Sequence, residues 1–501
     1  MSLSLRAQTR SELVAEGSDP RDSFWVDSLR SVNTRVRFAP APTGFLHVGS
    51  ARSALFNWLF ARSTGGEMIL RIEDTDAALR KPEYIDAIVK PLQDLGIDWD
   101  EGPYYQSQRQ RLHVDAVEKL VESGNAYFCD LSREQSDELA KEAGLPTGYH
   151  GWSRDKGIED GPGCVVRFRT PDEGEIVIDD VIRGEVRFSC ADLEDFVVRR
   201  SDGTPTFLVA NAVDDADMSI THVVRGEDLL NTTPKVLLIW DALDFGETPT
   251  YAHLPLLVNE QRKKLSKRRD DVSLMDFLRQ GYLPEAMVNH LALLGWGPPD
   301  DKEIRPIAEI VDLFQLKNVN KGSAFFDITK LNHINGEYIR ALPVERFIEI
   351  AEPFVYGVDT EVRWEHDAYE PEVFAMVADE VQQRVNTFSE IPRFISWLFT
   401  EEVEFETDNK GWTKGIRKGK LVPEILSALV ERFADVEWTA EAMNDAVSAV
   451  GNELGARSQV PARAALTGST AGIPIWEAAA TLDRDVVIAR FQRLLDFLTA
   501  E

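Results

Sequence analysis

Cysteine is scarce in this chain. The three residues, Cys129, Cys164 and Cys190, are widely spaced and form no C-x-x-C pair. An odd, dispersed set excludes a disulfide framework and a cysteine zinc site, and suits a reducing compartment. Long apolar runs are also missing. No stretch approaches the length of a membrane span, and the N-terminal segment has no hydrophobic signal core, so a cytoplasmic location away from membranes is expected. Positive charge is in deficit, with 55 basic against 85 acidic residues and a net charge of −30. That balance rules out a uniformly basic coat for nucleic acid, although local basic patches would be enough to contact phosphates. Two common nucleotide signatures, G-x-G-x-x-G and G-x-x-x-x-G-K-[ST], do not occur where a strand meets a helix. No repeat of fixed period is evident. With 501 residues, the chain has length for three or more structural units.

The chain is organised around Val36 to Asp76. Val36 and Phe38 read as a buried strand that Pro40, Pro42 and Gly44 interrupt. His47, Val48, Gly49 and Ser50 follow at the mouth of a helix whose Leu55, Phe56, Leu59 and Phe60 share a face, and Gly65-Gly66 closes it. A second strand, Met68 to Ile72, runs into Glu73-Asp74-Thr75-Asp76. This is a βαβ unit with its first loop at the carboxyl end of a strand. The free N–H groups of such a junction suit a phosphate, and Gly49 leaves space for a nucleotide against the backbone. His47 could donate to transferring phosphate oxygens. The structural alternative is that His47 merely caps the helix.

Residues 1–34 are polar and aperiodic and read as a flexible extension. Helices are expected over Pro82 to Leu95 and Leu112 to Gly124, with a loop from Asp98 to Gln108 carrying Tyr104 and Tyr105. From Tyr127 to Arg199 the pattern changes to period-two alternation, in Cys164 to Thr170 and Glu175 to Ser189, as in an antiparallel α+β insertion. Phe207 to Val213 and His222 to Arg225 read as strands returning to the first sheet. The sharpest basic cluster, Asn259 to Arg269, contains Lys264-Leu265-Ser266-Lys267-Arg268. Beyond Leu342 the chain reads as nearly all helix.

Several side chains are placed for chemistry. Lys264 and Lys267, three apart in a short loop, could both reach one polyphosphate; a solvated basic loop is the alternative. Arg37 and Arg225 could hold a carboxylate with forked hydrogen bonds, and Glu73 an ammonium group, unless these residues form internal salt bridges. Asn211 could bond a ligand or shape a turn. Asp74 and Asp76 could cap the next helix. Asp214, Asp215 and Asp217 form only a loose cation-site pattern.

HVGS and KLSKR taken together resemble the signature pair of the class I aminoacyl-tRNA synthetases. The surrounding text is similar to the glutamyl-tRNA synthetase family, bacterial type: RVRFAPAPTGFLHVGSARSALFNWLFAR, GGEMILRIEDTD, GPYYQSQR, FLVANAVDDADMSITHVVRGEDLL, PEAMVNHLALLGW, FDITKLNHINGEYIR and PARAALTG occur in order. The resemblance implies an α/β fold: a class I Rossmann-type parallel sheet with an α+β insertion, then an all-α C-terminal domain. It divides the chain into an extension (1–34), the Rossmann catalytic halves (35–110 and 199–256) and an inserted acceptor-end domain (111–198). A stem-contact domain with the KLSKR loop (257–342) and a helical anticodon-binding domain (343–501) complete it.

It also implies a reaction. Glutamate is activated by ATP with Mg²⁺ to glutamyl-adenylate and passed to the 3′-terminal adenosine of tRNA(Glu). His47 and Gly49 would contact ATP, Lys264 and Lys267 would hold pyrophosphate, and Asp228 and the backbone of Leu257 would lie near the nucleoside. Arg37, Ala39, Ala41, Glu73, Phe207, Asn211 and Arg225 would line the glutamate site, with carboxylates on the arginines and the ammonium on Glu73. Ala41 and Phe207 stand where Ser and Tyr are common, removing two hydroxyls. The insertion lacks the Cys/His cluster that binds zinc in some members, so no structural zinc is expected, and no protein metal site beyond the Mg²⁺ carried by ATP. An Arg in the segment of Arg393 and Ser396 is linked in the family to rejection of glutamine tRNA. With Ser396 at that position the enzyme would charge both tRNA(Glu) and tRNA(Gln). A monomer is expected. The rival readings are a nucleotidyltransferase acting on a small molecule and a non-catalytic tRNA-binding paralogue.

Overall fold

The computed structural model describes residues 34–76, 80–265, 273–358 and 360–500. The N-terminal extension, apart from Thr34, lies outside the described residues, as does Lys267. Two compact units divide the chain. The first takes the chain to Met275 together with Met287–Asp327; the second takes Asp276–Ala286 and Ile328 onward.

In the first unit, strand β1 (Arg35–Phe38) leads through helix α1 (Val48–Thr64) into β2 (Glu67–Ile72). β1 and β2 pair in parallel from Arg35↔Glu67 to Phe38↔Leu70. Gly65, left-handed at φ 65°, ends α1 by donating to the Ala61 and Arg62 carbonyls. Helix α2 (Pro82–Asp94) follows, and then β3 (Glu101–Tyr105), which pairs in parallel with β2. This strand corrects the loop expected over Asp98 to Gln108. As a half-exposed edge strand containing Gly102 and Pro103, it carries no apolar alternation to read.

Helix α3 (Gln110–Glu122) opens the insertion. An antiparallel sheet joins β4 (Ala126–Cys129), β5 (Val165–Phe168) and β8 (Val197–Arg199), and β6 (Glu175–Asp180) forms a hairpin with β7 (Gly184–Ser189). The chain returns through helix α4 (Phe207–Asp217) to β9 (His222–Gly226), which pairs in parallel with β10 (Thr250–Leu254). The Thr221 N–H donates to the Arg35 carbonyl at 2.9 Å and sets β9 beside β1. The resulting order, β3-β2-β1-β9-β10, reverses direction between β1 and β9, which opens a crevice at their carboxyl ends.

Phe207 to Val213 is helical, not a strand. Its continuous apolar run fits either structure, because α4 is buried from Leu208 to Asp215 and has no polar face to reveal its period. It packs among Val117, Leu120, Val198, Val236 and Ile239.

Two acids on α4 bind it to its surroundings. Asp215 Oδ1 accepts from Arg37 Nε at 3.1 Å and Arg71 Nη1 at 2.7 Å. Asp214 accepts from Arg109 Nε (2.8 Å) and Gln106 Nε2 (3.0 Å), and His113 Nε2 lies 2.9 Å from it. These acids and Asp217, which pairs with Arg109, therefore serve internal bridges rather than a cation site. Asp74 is no helix cap either: it accepts from the Ser107 N–H and hydroxyl at 2.8 and 2.6 Å.

In the second unit, helices such as Val422–Phe433, Ala440–Leu454 and Arg484–Ala500 enclose an aromatic core, in which Phe433 meets Phe491 edge-on at 5.0 Å. Among the described residues no helix is long and apolar enough to cross a membrane.

Burial pushes both Asp214 and Asp215 upward, but the His113 bond and Arg71 charge on the first, and the Arg37 and Arg71 charges on the second, more than reverse it. Both are thus held below the unfolded value of about 3.9. The unfolded chain binds more protons in that window, so their contribution is complete above it and lost as pH falls through it. The stability deficit of Asp214→Asn relative to wild type, measured by urea unfolding, is expected to be large at pH 7 and to shrink towards pH 3. A deficit independent of pH would contradict this assignment.

Candidate active site

A cleft of about 390 Å³ opens at the reversal point. His47 stands in the turn that lines it before α1. With extended backbone (φ −98°, ψ 160°), it is the N-cap of α1, and Nδ1 accepts from the N–H groups of Gly49 (3.1 Å) and Ser50 (3.3 Å). An accepting Nδ1 leaves the proton of the neutral ring on Nε2, 3.0 Å from Ser50 Oγ. His47 is therefore both a cap and a donor facing the cleft. Gly49 makes this possible, since a Cβ there would sit 3.0 Å from two imidazole atoms.

The lysine segment reaches the same cleft from β11 (Leu257–Val258). The Leu265 N–H donates to the Leu257 carbonyl at 3.0 Å, so the chain doubles back and brings Lys264 Nζ within 3.0 Å of Asp228 Oδ2. Lys264 and Asp228 are both half exposed, which leaves the ammonium accessible. On the far side of 266–272, Ser273 forms an antiparallel bridge with His47 and the Leu274 N–H donates to Leu46 O at 3.1 Å. Both ends of the signature segment are thus anchored at the cleft.

The deeper wall holds the other residues singled out by sequence. Ala39, Ala41, Glu73, Phe207 and Asn211 all line it, with Arg37 and Arg225. The two arginines differ. Arg37 is compensated by Asp215, whereas Arg225 has no carboxylate within 4 Å among the described residues. Its guanidinium donates instead to Thr233 Oγ1 at 2.8 Å and His253 Nε2 at 3.3 Å, and burial lowers its pKa. Asn211 accepts from Arg71 Nη2 (2.9 Å) and donates to the Phe207 carbonyl (3.0 Å), so it is a fixed part of the wall and not a turn. Glu73 is held at the backbone by its N–H bond to Pro40 O, 2.9 Å. Burial raises its carboxyl pKa against the opposing charges of Arg71 and Arg37, and Arg71 at 3.8 Å is the only cation within 4 Å among the described residues.

Four residues escaped sequence reasoning. Arg71 lies on a strand that reads as apolar, yet is fully buried between Asp215 and Asn211. Arg52, one turn into α1, lines the cleft and donates to the carbonyls of Leu294 and Pro255; burial brings its guanidinium down to about 9, against the pull of Asp228. His253 and Asp180 stand behind Arg225, their rings and carboxylate wholly buried. Only a charged residue within an apolar strand could have hinted at Arg71; the other three carry no local signal.

A switch-point cleft with a capped imidazole turn and a lysine segment converging on it defines an ATP-using α/β synthetase. The profile of the family "tRNA synthetases class I (E and Q), catalytic domain" matches residues 33–333, and that of "Anticodon binding domain" matches residues 346–495. The chain belongs to the class I tRNA synthetases of this E and Q family. It is similar to the glutamate–tRNA ligase of Thermobifida fusca, 48% identical over 93% of this chain and 98% of the relative. It is also similar to that of Frankia casuarinae, 44% identical over 94% of this chain and 100% of the relative. Among solved structures, a glutamate tRNA ligase from Elizabethkingia meningosepticum in complex with its amino acid aligns with a TM-score of 0.77 at 27% identity, covering 93% of this chain and 99% of the other.

Gly49→Ala tests the cap. Displacing the imidazole is expected to lower kcat about 10²-fold while KM for the amino acid stays within about twofold. Unchanged turnover would show that the ring position does not matter.

Proposed function

We propose that the chain is a glutamate–tRNA ligase that activates glutamate with ATP and esterifies tRNA(Glu). One observation carries the substrate assignment. Two charges of opposite sign line one cleft: Arg225, buried with no carboxylate within 4 Å among the described residues, and Glu73, partly buried with Arg71 at 3.8 Å as its nearest cation. A zwitterionic acid would complete the pairing of both charges and recover the cost of leaving Arg225 without an anion. Glutamate meets both demands, with its ammonium at Glu73 and a carboxylate at Arg225. Arg37 adds positive potential, and Ala39, Ala41, Asn211 and Phe207 supply the remaining wall.

In the first step, an oxygen of the glutamate α-carboxylate bonds to the α-phosphorus of ATP as the bond to pyrophosphate breaks. His47 Nε2–H donates to the phosphate oxygens where charge accumulates, and the α1 N-terminus beside Gly49 adds its dipole. Lys264 and Lys267 take the charge moving onto pyrophosphate. Asp228 and the Leu257 backbone border the nucleoside. In the second step, the 2′-hydroxyl of the terminal adenosine attacks the activated carbonyl, the ester forms and AMP leaves. In this proposal Mg²⁺ arrives bound to the triphosphate. Mg²⁺ would supply charge neutralisation there.

The domain assignment is part of this proposal: catalytic halves at 35–110 and 199–256, an acceptor-end insertion at 111–198, a stem-contact region at 257–342 and an anticodon domain at 343–501. We assign the enzyme to the cytoplasm as a monomer. Discrimination between tRNA(Glu) and tRNA(Gln) is assigned to the segment of Arg393, which pairs with Glu406 at 3.2 Å, and Ser396. With serine at the discriminating position, both tRNAs are charged.

A lysine strip in the second unit supports the RNA partner. Residues 410–420 (KGWTKGIRKGK) carry five basic residues and no acid. Lys410, Lys414, Lys418 and Lys420 are exposed and have no carboxylate partner among the described residues. They lie in and around a π-turn, Thr413–Arg417, that packs closely because a Cβ on Gly415 would lie 2.6 Å from Val460. In a chain of net charge −30, such a strip suits the phosphates of an RNA arm.

ATP–pyrophosphate exchange with glutamate, with and without tRNA, tests the activity. Exchange requiring glutamate, and aminoacylation of tRNA, are expected; turnover of another small acid without tRNA would replace this reading. Lys267→Ala is expected to slow adenylate formation by about 10² or more while tRNA affinity stays within about twofold. For the strip, replacing Lys414, Lys418 and Lys420 together by Ala is expected to reduce the slope of log K against log salt for tRNA by about 2. An unaltered slope would remove the strip from the RNA surface.

A further inference from the structure

Arg225 faces the cleft, yet what aims it lies in another part of the fold. Its Nε–H donates to His253 Nε2 at 3.3 Å, and its Nη2 donates to Thr233 Oγ1 at 2.8 Å. The Thr233 hydroxyl, having accepted from Arg225, directs its own hydrogen to the same His253 Nε2 at 3.0 Å. That nitrogen therefore serves as acceptor and carries no proton. The ring proton must sit on Nδ1, where it donates to Asp180 Oδ2 at 2.6 Å. Asp180 is held as an anion by the backbone: Oδ2 also accepts the His253 N–H (3.0 Å), and Oδ1 accepts those of Ile182 (2.9 Å) and Arg183 (2.7 Å).

Asp180 ends β6, at the tip of the inserted hairpin, and His253 belongs to β10 of the parallel sheet. The Val181 N–H donates to the Tyr251 carbonyl at 2.9 Å and docks the tip on that strand. The Tyr251 ring lies parallel to His253 at 5.9 Å and under the Arg225 guanidinium at 5.7 Å. Every polar atom of the Asp180–His253 pair is thus committed, and the chain of bonds ends at Arg225, a cleft-lining guanidinium with no carboxylate within 4 Å among the described residues.

We propose that Asp180 and His253 are positioning residues for glutamate: the hairpin carboxylate fixes the His253 tautomer, and the tautomer aims Arg225 at the substrate carboxylate. This rests on the role given to Arg225 above. Asp180→Asn replaces an obligate acceptor by a group that can donate to Nδ1. The ring proton then moves to Nε2 and opposes the Arg225 and Thr233 hydrogens. Substitutions of His253 separate the two functions. A Gln amide oxygen falls near the position of Nε2 and can still accept from Arg225, whereas that of Asn falls near Nδ1 and cannot.

The test is steady-state aminoacylation with the full chain and tRNA, with melting temperature recorded for each variant. Asp180→Asn and His253→Asn are expected to raise KM for glutamate about tenfold, KM for ATP to stay within about twofold, and His253→Gln to restore most of the glutamate affinity. An equal decline of His253→Asn and His253→Gln in every kinetic constant, in step with melting temperature, would reduce the pair to a structural role and overturn the proposal. The His253 comparison decides the matter even if Asp180→Asn does not fold. Arg225→Leu is the control. If it raises KM for glutamate while Asp180→Asn and His253→Asn do not, the link alone fails. If Arg225→Leu leaves KM unchanged, the carboxylate role of Arg225 fails and the link with it.

Discussion

A single carboxylate oxygen, Oδ1 of Asp215, holds the catalytic unit in register. It binds Arg37 of β1 and Arg71 of β2, and so ties helix α4 to the two strands whose ends form the cleft. Both guanidinium groups are buried, where an unpaired charge is costly. The bond therefore fixes Arg37 at the wall and, through Arg71, Asn211 opposite it. Compensation stops there. Arg225 has no carboxylate within 4 Å among the described residues, and in the proposed function the substrate supplies one.

The imidazole turn works by the same economy of groups. One nitrogen of His47 satisfies two of the free N–H groups at the start of α1, and the other lies 3.0 Å from Ser50 Oγ, which gives its proton a defined direction. Capping and catalysis are usually weighed as alternatives for such a residue. Here the cap is what orients the donor, and Gly49 leaves the space in which the ring sits.

Much of this site was legible because its parts lie in short stretches with strong local constraints. The Pro-rich turn, the helix mouth at His47 and the basic loop at Lys264 each announce themselves within ten residues, and the cleft brings them together. The strand ends at Arg37, Glu73 and Arg225 could be read from apolar runs that stop at a charge. The two elements misread, the edge strand at Glu101–Tyr105 and helix α4, failed for opposite reasons. The first is too exposed to alternate, and the second too buried to show a polar face.

What the sequence determined by itself was the βαβ core, the antiparallel insertion, the helical second half and the residue types that line the candidate site, because each depends on interactions between near neighbours in the chain. What only the tertiary structure decided was which charges are paired. Arg37 and Arg225 look alike in sequence, yet one is neutralised by an acid 178 residues away and the other is held by a histidine whose tautomer a distant hairpin sets. Electrostatic compensation acts through space in a medium of low dielectric, and no local pattern of residues records it.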